Sequence, residues 1–109
     1  MEDFLRVVSA LNDESRVRVL AFLIVHRSSC VCELEASLGM AQSTLSRHLK
    51  ILKDGGFLRT KKVGARSYYE LFFASKTQAA FAAEIEALRL RLPQKVDADN
   101  VTRCQILGK

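Results

Sequence analysis

The chain of 109 residues is poor in the groups that most catalytic designs need. It has only two histidines, His26 and His48. No Ser/His/Asp set, Gly-rich phosphate loop or His-based metal motif is present, which argues against an enzyme with a catalytic cofactor. No apolar run is long enough to span a bilayer, so no membrane partner is expected. The N-terminal stretch MEDFLRVVSALND has early acids where a signal peptide has basic residues. A cytoplasmic setting follows, and there thiols stay reduced. Cysteines number three, an odd count that argues against a disulfide framework. Proline occurs once, at Pro93, and neither internal repeats nor low-complexity segments are found.

Hydrophobic residues make up 49% of the chain and charged residues 27%. That composition and length describe one globular domain, large enough to bury a core without disulfides or metals. The net charge of +5 is unevenly spread. Residues 41–66 hold seven Lys/Arg against a single acid, Asp54, while residues 1–40 are net acidic. A concentrated basic patch is the electrostatic footprint of a phosphate-binding surface, although a solvated charged face looks the same in a sequence.

Apolar spacing predicts a helix over residues 3–11, from Phe4, Leu5, Val8 and Leu11. A second helix, capped by Asn12 or Asp13, carries Val17, Leu20, Ala21 and Ile24 and ends near His26. Ser28 or Ser29 is expected to cap a short third helix that Gly39 stops. A fourth, QSTLSRHLKILKD, has Leu45, Leu49 and Leu52 on one face. FLRTKKV and SYYELFF then read as strands joined by a tight turn at Gly64. Helix resumes over residues 76–91, with Pro93 closing it. Residues 1–92 are thus expected to form the folded domain and residues 93–109 a tail. Two helices joined by a short Gly-containing turn, followed by a basic hairpin, define a winged helix-turn-helix, mainly α with a β-hairpin.

In such a fold the fourth helix reads double-stranded DNA in the major groove. Its polar side offers Gln42, Ser43, Ser46, Arg47 and Lys50, with Thr44 as a further hydroxyl. Gln suits adenine and Arg suits guanine. His48 is read as a surface group beside Arg47, within reach of a phosphate or without a role. In the wing, Lys61, Lys62 and Arg66 surround Gly64 and suit phosphate contacts, which position rather than specify. Tyr68 and Tyr69 take opposite faces of their strand, one for the core and one for the DNA backbone.

Cys30 and Cys32 are separated by one residue where the third helix begins. On the residues alone they can be a metal clamp, a redox couple, or small apolar side chains.

The segments LNDESRVRVLAFL, CVCELEASLGMAQSTLSRHLKILKDGGFL and VGARSYYEL resemble the ArsR/SmtB family of metal-responsive repressors over roughly residues 5–73. The resemblance implies a homodimer, built on the first and last helices, that binds operator DNA until an inducer arrives. Its arsenic-sensing members carry a C-V-C pair at this place, often with a further cysteine three positions later. Here that position is Glu35, and Cys104 is the only other thiol. The implied ligands are Cys30, Cys32 and Cys104, and the implied inducer is As(III) or Sb(III), soft centres that select thiolates. Cadmium or lead sensing by the same fold, or a thiol-redox switch, are the alternatives. The family's zinc site on the last helix needs His, and that helix offers only Glu84 and Glu86. The family often has Ser where this chain has Ala41, so the fourth helix should lack a cap. On an ideal helix, residues i and i+2 point about 200° apart, so ion capture is expected to distort the start of the third helix.

Overall fold

In a computed structural model, residues 1–97 form five helices and a three-stranded sheet. The order is α1 (Glu2–Ala10), α2 (Glu14–His26), β1 (Ser28–Cys30), α3 (Val31–Leu38), α4 (Gln42–Asp54), β2 (Leu58–Val63), β3 (Arg66–Leu71) and α5 (Lys76–Ala87). Residues 98–109, Cys104 among them, lie outside the described residues.

Helix α2 is central because it is apolar on nearly every side. Val19, Leu20, Phe22 and Leu23 are fully buried. Asp13 starts it, its carboxylate accepting the Arg16 amide at 2.9 Å. Around it close Leu34 of α3, Leu45, Leu49 and Leu52 of α4, Phe57, and Ile85 of α5. Each such side chain contributes about 1.5–3 kcal/mol of burial, so α3 and α4 are held as one packed pair. Gly39 ends α3 at φ 68, a left-handed angle that costs glycine little. Ala41 starts α4 without a side-chain cap, as its methyl requires.

The hairpin of β2 and β3 pairs Val63 with Arg66 across a two-residue turn, with Gly64 at φ 63. A third strand joins it. Ser28, Ser29 and Cys30 pair antiparallel with Glu70, Tyr69 and Tyr68, giving the order β1-β3-β2. The expected serine cap is therefore corrected: Ser28 and Ser29 are extended, and Cys30 stands at the cap of α3. The free edge of β3 accounts for this. It offers backbone partners that a capping turn would leave unused.

Helix α5 also ends earlier than residue 91. Its last residue is Ala87, and Arg89 turns the chain at φ 50. Leu90 and Leu92 then fold back to pack on the core, while the Arg18 guanidinium donates to the Arg91 carbonyl at 3.1 Å. Past Pro93 the chain lies along α3. The Lys95 ammonium donates to the Ser28 carbonyl at 3.0 Å, and the Val96 amide to the Ser37 hydroxyl at 2.8 Å. Among the described residues no helix is long and apolar enough to cross a membrane.

Candidate nucleic-acid interface and thiol site

The outward side of α4 presents Gln42, Ser43, Ser46, Arg47 and Lys50, all exposed, with Thr44 half-buried. The 3.6-residue period separates them from the leucines that anchor the helix. No acid occupies the first turn of α4, so its positive end is open to a phosphate. Lys50 leans on Asp54 at 3.1 Å, one helical turn on. In the wing, Lys61 and Lys62 are exposed and Arg66 is half-buried. Arg59 is occupied by the wing itself: its Nε meets the Glu70 carboxylate at 2.6 Å, and its guanidinium lies 5.0 Å from the Phe72 ring centre.

His48 is not on this surface. It is 2% exposed and points inward, towards the start of α2. Its Nδ1 accepts from Arg16 Nε at 3.3 Å, and its Nε2 lies 4.0 Å from the Asp13 carboxylate. A phosphate on a duplex cannot reach it there. Removal from water holds its pKa below the ordinary 6.5, against the pull of Asp13 and with the help of Arg16 and Arg47. It is thus a neutral acceptor at pH 7. Helical spacing alone places residue 48 at the margin of the leucine face, and the hydrogen bond that draws it in spans 32 residues.

The thiol site sits where the sheet meets the helix-turn-helix. Cys30 is 4% exposed and Cys32 half-buried, both as free thiols, and Cys32 and Tyr68 pack against Cys30. Cys30 has extended backbone angles and Cys32 lies in the first turn of α3. The two cysteines therefore do not both lie on the helix, which begins only after Cys30. Tyr68, expected at the DNA backbone or in the main core, covers the thiols instead, and Tyr69 takes the main core.

Glu33 completes the turn. It is 4% exposed and forms a capping box with Cys30. The Cys30 amide and the Ser29 hydroxyl each donate to Glu33 Oε1 at 3.1 Å, and Lys95 Nζ stands 3.7 Å away. The spacing Cys30-x-x-Glu33 is the capping-box pattern with cysteine in the serine position, a signal that was present in the sequence and not read. Among the described residues no three His, Cys, Asp or Glu side chains are arranged to hold a metal ion. One buried and one half-buried sulfur in an apolar cluster suit a soft thiophilic centre better than a hard cation.

A helical core with two helices joined by a short turn and a basic β-hairpin defines the class of winged helix-turn-helix regulators. The family model described as bacterial regulatory protein, arsR family, matches residues 13–60. The arsenical resistance operon repressor of Escherichia coli is 33% identical over 81 residues, which are 74% of this chain and 67% of that protein. The chain belongs to the ArsR family, a family of transcriptional regulators and not of enzymes. The cadmium resistance transcriptional regulatory protein CadC homolog of Staphylococcus aureus is 33% identical over 69 residues, 63% of this chain and 57% of that one. A possible ArsR-family regulator of Mycobacterium bovis, solved as a homodimeric winged helix-turn-helix DNA-binding domain, superposes with a TM-score of 0.68. It is 27% identical, with 81% of this chain and 79% of that one covered.

Proposed function

We propose that the protein is a cytoplasmic homodimeric repressor that grips operator DNA and releases it when arsenite or antimonite binds Cys30 and Cys32, with Cys104 as the third sulfur. The observation that carries this reading is the pair of free thiols packed together under Tyr68, at the junction of wing and helix-turn-helix. Gln42, Ser43, Thr44, Ser46, Arg47 and Lys50 read the major groove, and Lys62 and Arg66 hold the flanking phosphates. The dimer face is α1 with the end of α5. Phe4, Leu5, Val8 and Leu88 are exposed there, and Phe4 leans on Phe81 with ring centres 6.4 Å apart.

Capture of the ion draws the Cys30 sulfur away from the Glu33 amide and so dissolves the capping box. Cys30 is also the last residue of β1, opposite Tyr68 of the wing strand. The strain therefore enters both the α3–α4 pair and the wing. By linkage, the inducer binds the DNA-free form more tightly than the DNA-bound form.

The test is fluorescence anisotropy with a duplex that the wild-type protein enriches from a random pool. Arsenite, methylarsenite, antimonite, cadmium and peroxide are titrated into the wild type and into Cys30→Ser, Cys32→Ser and Cys104→Ser. Arsenite and antimonite should release the duplex, and neither Cys30→Ser nor Cys32→Ser should respond. Cys104→Ser should lose arsenite sensitivity and keep the response to methylarsenite, which needs two sulfurs. Arsenite that leaves duplex affinity unchanged overturns the reading. Cadmium is the second inducer to consider, favoured by the likeness to the staphylococcal protein, and release by cadmium at lower concentration than arsenite would install it instead. Release by peroxide alone would point to a redox switch.

A further inference from the structure

One side chain ties three elements together at a distance from the thiols. The Arg16 guanidinium donates from Nη1 to the carbonyls of Ser9 and Ala10, each at 3.3 Å, and from Nε to His48 Nδ1 at 3.3 Å. Ser9 and Ala10 end α1, Arg16 belongs to the first turn of α2, and His48 is in the middle of α4. Arg16 is itself fixed from below, since its amide donates to the Asp13 carboxylate that also faces His48. The leucines of α4 bury the helix, but apolar contacts resist rotation about the axis only weakly. A directed hydrogen bond to a ring nitrogen adds an angular restraint.

We propose that Arg16 is a positioning residue for DNA recognition: by holding His48 and the end of α1 at once, it sets the rotation of α4 and so the aim of Arg47 and its exposed neighbours. A helix with its side chains is about 6 Å in radius, so a turn of ~15° displaces its outer atoms by roughly 1.5 Å. Base-edge hydrogen bonds do not survive such a shift, whereas phosphate attraction does. The restraint requires an unprotonated Nδ1. The charged groups facing His48 are Asp13 and Arg16 from the α2 side and Arg47 from its own helix. A proton on Nδ1 would meet the Arg16 donor and break the bond. Sequence readout is therefore present at pH 7 and lost as pH falls below 6.5 through the lower value of the folded protein.

This inference rests on α4 as the reading helix, and the experiment separates the two. Affinity is measured for the enriched duplex and for a scrambled duplex of the same composition, from pH 5.5 to 8, with circular dichroism and thermal melts of each variant. Arg16→Met should lower the enriched-to-scrambled affinity ratio at least tenfold and leave scrambled binding within twofold. His48→Gln, whose amide oxygen can accept from Arg16, should keep most of the wild-type ratio at pH 7.5 and abolish its fall on the acid side. His26→Gln should keep that fall. An Arg16→Met protein that is folded and holds the wild-type ratio overturns the inference. So does an acid-side fall that persists in His48→Gln, which decides the matter even if Arg16→Met does not fold. A wild-type protein that enriches no duplex overturns the reading of α4, and the inference with it.

Discussion

On α4 the residues assigned to DNA stand in water, on a helix whose other side is leucine. At the start of α3 the residues assigned to the inducer are folded into the sheet, under a tyrosine and around a buried carboxylate. The first arrangement separates function from stability by a single helical period. The second merges them, because Cys30 is at once a strand residue, a helix cap and a proposed ligand. Changes on the exposed side of α4 should therefore act on binding alone. Changes at the thiol turn should act on folding, on response, or on both, according to which backbone group they disturb.

Cys32 sharpens the contrast most, because it is the thiol outside the capping box. Cys32→Ser should leave the melting temperature nearly unchanged and raise the arsenite concentration for duplex release by more than about 100-fold, with two of three sulfurs left. Anisotropy and a thermal melt measure the two halves. Glu33→Ala comes next. It removes the acceptor of the Ser29 hydroxyl and Cys30 amide and the carboxylate facing Lys95, and should cost about 2–4 kcal/mol in urea unfolding. Arg47→Ala is its counterpart on the reading face. It should change stability by less than about 0.5 kcal/mol, and weaken the enriched duplex by about 1–3 kcal/mol. Were Arg47→Ala to destabilise the fold as Glu33→Ala does, the separation claimed for α4 would be lost.

A smaller effect comes from acid. His48 has a folded-state pKa below 6.5, so the unfolded chain binds its proton first as pH falls. Its contribution to stability is complete above 6.5 and is lost between 6.5 and the folded value. Denaturation curves at pH 7.5 and 5.5 should show the difference, and His48→Gln should narrow it. The smallest change expected is a gain: Ala41→Ser supplies the missing cap of α4, worth up to about 1 kcal/mol in a melt.

The exposed polar face of α4 was legible because its signal is periodic and local. Leu45, Leu49 and Leu52 mark one face of α4, and the polar residues between them fall on the other. The wing was legible from the change of period and from Gly64. What escaped was short or distant. Strand β1 has three residues, too few for a period, and it exists because β3 has an edge to fill. The inward turn of His48 depends on Arg16, and the burial of Glu33 on Lys95, partners far along the chain. No local pattern announces such a pair. Cys30 and Cys32 do pack together as their spacing suggests, but the backbone before them is a strand, and a helix start and a strand end look alike over Ser-Ser-Cys.

The segment after Pro93 has a practical meaning for anyone who trims this protein. A cut at Leu92 would spare every helix and strand of the described residues and would look like a clean excision of the winged core. It would also strip Lys95 from Glu33 and Val96 from Ser37, and so remove the brace from the helix that starts at the Cys30–Cys32 turn. Such a fragment would also lack Cys104, the proposed third sulfur, so it should still recognise its duplex while losing its response to arsenite.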